Sequence, residues 1–137
     1  MRKLDLLLIE SSEWAGACAA WLDERDFSVE VVSDWPSAGS ILRRRTCNLV
    51  LVDESLWSLD PRAARELLEQ DKDVVVLATD YTRDGFIEAS ERGAKGYINK
   101  NLDQDRFIRE LEKILRRVGL TARSGRILVV DNDPHVL

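Results

Sequence analysis

The chain has 137 residues and a mass of 15.6 kDa, which allows one domain with a sizeable core and leaves no room for a second. Its 45% hydrophobic and 33% charged content, with only seven glycines and three prolines, is that of a folded domain and excludes a disordered chain. A formal net charge of -5 argues against a broad nucleic-acid or anionic-membrane surface, and the apolar runs are far too short to span a bilayer.

Met1-Arg2-Lys3 opens a charged sequence without a signal-type core, so the expected location is the cytoplasm. From there, short β-rich apolar runs alternate with amphipathic segments of helical spacing, the pattern of consecutive βα units around a parallel sheet. The first strand is expected over 4–9 and the first helix over about 13–25, with Ser12 as its cap. Strand 28–32 reads Ser-Val-Glu-Val-Val, and Glu30 interrupting the apolar pattern suits a sheet edge. Ser33 or Asp34, with Pro36, starts a helix over about 35–45 that ends in Arg43-Arg44-Arg45, a solvated face whose cations suit the helix dipole.

Strand 48–53 carries Val50-Leu51-Val52, and strand 73–78 carries Val74-Val75-Val76-Leu77. Both are continuously apolar and so belong in the middle of a sheet covered on both faces. Between them, 54–60 is expected as a loop and Asp60-Pro61 as the start of a helix to about 70. A helix over about 84–92, a strand over 95–99 and a helix over about 103–118 complete five βα repeats. Cys18 and Cys47 lack CxxC or metal-ligand spacing and read as reduced packing residues. Trp14, Trp21, Trp35 and Trp57 read as packing aromatics; Trp57, four residues after Asp53, is the expected reporter of the site.

Asp53 ends the run Asn48-Leu49-Val50-Leu51-Val52, so its carboxylate projects from the carboxyl end of a buried strand, the edge where ligands collect in open α/β sheets. Glu10-Ser11 follows the first strand and Lys100 follows Gly96-Tyr97-Ile98-Asn99. Two acids and a lysine can therefore share one pocket. After Gly119, Ile127-Leu128-Val129-Val130-Asp131-Asn132-Asp133-Pro134 repeats the opening pattern about one domain length later, Val130 aligning with Ile9 and Asp131 with Glu10. Residues 120–137 are thus expected to be a linker and the first strand of a second, truncated copy. His135, beside Pro134 in that tail, is read as lying on no helix of a bundle.

These elements resemble the receiver domain of response regulators, the CheY-like architecture, over about residues 3–119. The most specific parts are Asn48-Leu49-Val50-Leu51-Val52-Asp53 with Asp60-Pro61, and Gly93-Ala94-Lys95-Gly96-Tyr97-Ile98-Asn99-Lys100. The resemblance implies a doubly wound, five-stranded parallel α/β sheet of flavodoxin-like order 2-1-3-4-5, flanked by five helices, and a tandem arrangement with the copy beginning near 126. It implies two-component signal transduction: Asp53 accepts a phosphoryl group from a histidine kinase or phosphotransfer protein, and a conformational change passes to a partner or output domain. Such a domain is no enzyme beyond catalysing its own phosphorylation and dephosphorylation. Mg²⁺ would be held by Asp53, the Ser55 backbone carbonyl and the acids after the first strand, Lys100 would contact the phosphoryl group, and Tyr97 would be the switch aromatic.

Three departures stand in the residues. Ser11 occupies a position where the family has a second acid and supplies no charge, and Glu10 is one methylene longer than the usual Asp, so Mg²⁺ should bind weakly or not at all. Ala78, not Thr79, falls at the family's hydroxyl position, and one residue along a strand reverses the face, so Thr79 would contact the phosphoryl group only where the strand end is bulged or re-aimed. Asn101 stands where proline is common. The alternative is therefore a phosphorylation-independent pseudo-receiver, a protein-protein interaction module. Its surface would be helix 84–92, strand 95–99 and helix 103–118, which could also form a homodimer. Further domains of a longer chain are the other expected partners; direct nucleic-acid and membrane contacts are not expected. A flavin or nucleotide enzyme on this fold is disfavoured because Glu10-Ser11-Ser12-Glu13 lacks the glycines that cradle phosphates.

Overall fold

The computed structural model describes residues 4–25, 27–44 and 47–119. Its elements are β1 (Leu4–Ile9), α1 (Trp14–Asp23), β2 (Phe27–Val32), α2 (Trp35–Arg44), β3 (Leu49–Asp53), α3 (Glu54–Leu59), α4 (Pro61–Glu69), β4 (Asp73–Ala78), α5 (Arg83–Glu91), β5 (Gly96–Asn99) and α6 (Gln104–Val118). The strands form one sheet of order β2-β1-β3-β4-β5, and every pairing is parallel. The expected second copy near 126–137 lies outside the described residues.

The sheet divides the core in two because alternate strand residues face opposite sides. Leu6, Leu8, Leu49, Leu51, Val75 and Leu77 pack with α1 and α6. Leu7, Ile9, Val50, Val52, Val74 and Val76 pack with α2, α3, α4 and α5. All five residues of β3 are buried, as are the last five of β4, which explains the unbroken apolar runs. β2 is an edge strand and leaves Val31 42% exposed.

Among the described residues there is a sixth helix that the sequence pattern did not announce. Glu54–Leu59 is helical where a loop is expected, and the reason is tertiary. Asp53 is extended and its side chain accepts from the Ser55 N–H at 3.1 Å, capping the first turn. Trp57 is buried to 2% exposure. A helix this short leaves carbonyls without internal partners, and neighbours supply them: Trp35 Nε1 donates to Leu56 O at 2.8 Å and Arg92 donates to Trp57 O at 3.2 Å. The helix stops at Asp60, whose backbone (φ -133°, ψ 83°) leaves the helical region ahead of Pro61.

Two caps follow expectation and one does not. Asp34 accepts from Ser37 N–H at 2.8 Å, and Asp60 accepts from Ala63 N–H at 3.0 Å with Pro61 opening α4. Ser12 does not cap α1; the N-cap is Glu13, without a side-chain bond, and the Ser12 hydroxyl is used elsewhere. Asp60→Ala is expected to cost about 1 kcal/mol by loss of the α4 cap, read from the urea midpoint at unchanged m-value. α6 ends at Gly119, whose left-handed backbone (φ 83°) needs a residue without a side chain. Cys18 and Cys47 are buried and unbridged; burial first, and the Glu10 carboxylate second, push the Cys18 thiol up to about 12, so it is inert packing.

Candidate functional site

In a sheet of this order the chain reverses direction of winding between β1 and β3, and side chains at the carboxyl ends of those strands open into the crevice. Glu10 follows β1, Asp53 ends β3 and Lys100 follows β5. The fold brings all three together. Lys100 Nζ donates to Asp53 Oδ1 at 2.7 Å and to Glu10 Oε1 at 2.9 Å. The three residues are buried, with relative exposures of 7% for Asp53, 3% for Glu10 and 8% for Lys100.

The remaining carboxylate oxygens are also engaged. Glu10 Oε2 accepts from the Ser12 hydroxyl at 2.7 Å and from the Ser12 N–H at 3.2 Å. Asp53 Oδ2 takes the Ser55 N–H. Burial pulls the Lys100 pKa down, but the hydrogen bonds to Asp53 and Glu10 and their charges outweigh it, so the net shift is upward and the ammonium is stabilised. Trp14 covers it, the ammonium lying 5.3 Å from the ring centre. The reporter of the pocket is therefore Trp14. Trp57, expected in that role, instead stacks under Arg92 at 4.6 Å.

The other expected site residues fall around this cluster. Ala78 ends β4 fully buried, and its carbonyl accepts the Lys100 N–H at 2.9 Å. Thr79 lies beyond the strand, exposed; its carbonyl accepts from Asn101 Nδ2 at 2.8 Å, so Asn101 ties the loop after β4 to the loop after β5. Ser11 is exposed. Tyr97 is buried at 6% exposure, its hydroxyl donating to Glu54 Oε2 at 2.9 Å. Ser12, Trp14 and Glu54 were not read from the sequence as site residues. Only Ser12 had a local signal, a hydroxyl two residues after an acid.

Mg²⁺ takes one or two protein carboxylates and several waters in near-octahedral geometry; Glu10 and Asp53 are the carboxylates that would hold it, and here Lys100 bonds to both. The two carboxylates share Lys100 between them. The Ser55 carbonyl, expected as a ligand, belongs to the first turn of α3; helical carbonyls are directed along the axis toward the carboxyl end, away from the Asp53 cap.

A parallel sheet of this order with acid, acid and lysine at its carboxyl edge defines a flavodoxin-like α/β domain with a charged pocket at the switch point. Solved structures narrow the class to the receiver fold of response regulators, which this chain adopts. A response regulator from Thermotoga maritima superposes with a TM-score of 0.75 at 24% identity, covering 83% of this chain and 98% of that one. The BeF3-activated receiver domain of RstA from Klebsiella pneumoniae gives 0.68 at 24% identity, over 82% and 98%. A response regulator from Burkholderia pseudomallei, solved with a phosphorylated aspartic acid and a calcium ion, gives 0.66 at 21% identity, over 84% and 70%. No family model matches the chain, and no curated protein matches it.

Proposed function

We propose that this chain is a signalling module of the two-component type that acts through the surface formed by α5, β5 and α6, with Lys100 as the built-in cation of the Glu10–Asp53 pocket. The observation that carries this reading is the engagement of every oxygen of the two carboxylates by Lys100, Ser12 and Ser55. A pocket already neutralised and hydrogen-bonded is a structural tie, not an open metal site. The module transmits by docking and performs no catalysis. Arg106 and Arg109 are exposed on α6, so a partner presenting acidic groups there, whether a kinase, a phosphotransfer protein or another domain of a longer chain, meets complementary charge. The cytoplasm suits its unbridged cysteines, and no helix among the described residues is long and apolar enough to cross a membrane.

A second reading, Asp53 as phosphoacceptor, is favoured by the 2.7 Å contact from Lys100, which places a cation where charge would gather on a phosphorylated carboxylate. The phosphoryl donor would be a phosphohistidine or a small acyl phosphate, and dephosphorylation would return the free carboxylate. Incubation with acetyl phosphate and Mg²⁺, followed by intact mass and Trp fluorescence, separates the two. The first reading expects no adduct and no Mg²⁺-dependent change in emission from Trp14. One phosphoryl adduct that disappears in Asp53→Asn would establish the second.

A further inference from the structure

We propose that Glu54 and Gly85 form a latch that holds the Tyr97 ring inward without any chemistry at Asp53, keeping the α5–β5–α6 face in one state. The inference deepens the metal-independent reading above and rests on it for the claim that no pocket event is needed. Tyr97 points from β5 toward α3 and α5, and its hydroxyl donates to Glu54 Oε2 at 2.9 Å. Glu54 is the first residue of α3, and Asp53 caps that helix, so the acceptor is fixed by the same turn that borders the pocket. Ala78 supplies no hydroxyl at the end of β4, and the ring is held instead by a carboxylate on the neighbouring element.

Gly85 is the other half of the latch. A Cβ built there would overlap the Tyr97 hydroxyl and sit 2.8 Å from Tyr97 Cζ and 2.9 Å from Glu54 Oε2. The inward ring therefore exists because position 85 has no side chain. The Gly85 N–H is itself held, donating to the Thr82 hydroxyl that caps α5 at 2.9 Å. Outside the ring, Tyr81 packs at 5.0 Å and Phe86 at 6.2 Å between centres. Burial first, then the bond to Glu54 and its charge, raise the phenol pKa, so the hydroxyl stays a donor across the neutral range. With the ring in, Tyr97 lines a groove of about 460 Å³ together with Tyr81, Ile98, Leu102, Arg106 and Arg109.

The chain has two tyrosines, so ring-¹³C-labelled tyrosine gives two sets of NMR signals, assigned with Tyr81→Phe. In the unaltered protein a soluble gadolinium chelate should relax Tyr97 several-fold less than Tyr81, and acetyl phosphate with Mg²⁺ should leave Tyr97 unmoved. Gly85→Ala and Glu54→Ala should each bring Tyr97 to the exposure of Tyr81; Glu54→Ala tests the latch if the larger steric change at 85 prevents folding. A Tyr97 as exposed as Tyr81 in the unaltered protein, or unmoved in both variants, overturns the latch. A ring that is inward at rest but leaves on addition of acetyl phosphate and Mg²⁺, together with a mass adduct, overturns the metal-independent reading while supporting the resting contacts to Glu54 and Gly85.

Discussion

Lys100→Ala should destabilise the domain by about 3–5 kcal/mol, because it leaves two buried carboxylates facing each other without their shared cation. Glu10 and Asp53 are both nearly inaccessible, and Lys100 bonds to each at under 3 Å, so water cannot take over the lost role. The urea midpoint should fall sharply. The triple variant Lys100→Met, Asp53→Asn, Glu10→Gln should recover most of the loss, since neutral groups do not demand a counter-charge. A Lys100→Ala domain as stable as the unaltered one would show that the pocket is hydrated and open. The same tie sets an alkaline limit. The folded pKa of Lys100 is raised above its ordinary 10.5, so its contribution is fully present below that value and is lost as pH rises through the folded pKa. A stability profile should therefore decline on the alkaline side, and Lys100→Met in the neutralised background should lack that limb.

Phe107→Ala is expected to cost about 3–5 kcal/mol, the range for emptying an aromatic site in a packed core. Phe107 is fully buried and meets Trp14 at 5.5 Å and Trp21 at 5.9 Å between ring centres. Trp14 and Trp21 also meet edge to face at 6.2 Å, so the three rings form one block between α1 and α6. Removing the central one should reduce the near-ultraviolet circular dichroism of both tryptophans as well as the stability. It should also loosen the Trp14 roof over Lys100, and acrylamide should then quench Trp14 more readily. Retained near-ultraviolet signal with a cost below about 1 kcal/mol would mean that the block repacks around the gap, as volume-tolerant cores can.

The parallel sheet, its order of elements and its two central strands were legible in the sequence because they rest on short-range periodicity. Val50-Leu51-Val52 and Val74-Val75-Val76-Leu77 have no polar face to offer solvent, and a strand with no polar face must be covered on both sides. The placement of Glu10, Asp53 and Lys100 was legible for a related reason: each directly follows or ends a strand run, and parallel strands bring such positions to one edge. The helix over Glu54–Leu59 was not legible, since the Asp53 cap is a local signal too weak to favour six residues of helix over a loop. It depends on Trp35 and Arg92, far away in sequence, satisfying its carbonyls, and on the burial of Trp57.

What the sequence determined by itself was therefore the register of apolar runs and which polar residues end them, because side-chain alternation and turn chemistry act within a few residues. What only the tertiary structure decided was who partners whom at those ends. Lys100 is shared by both acids, Trp14 and not Trp57 lies over it, Ser12 serves Glu10 in place of capping α1, and Glu54 receives the Tyr97 hydroxyl beside Gly85. Apart from the Ser12–Glu10 bond, which spans two residues, each of these contacts is shaped by where separate elements come to rest on the sheet, and that placement follows from how the whole core packs.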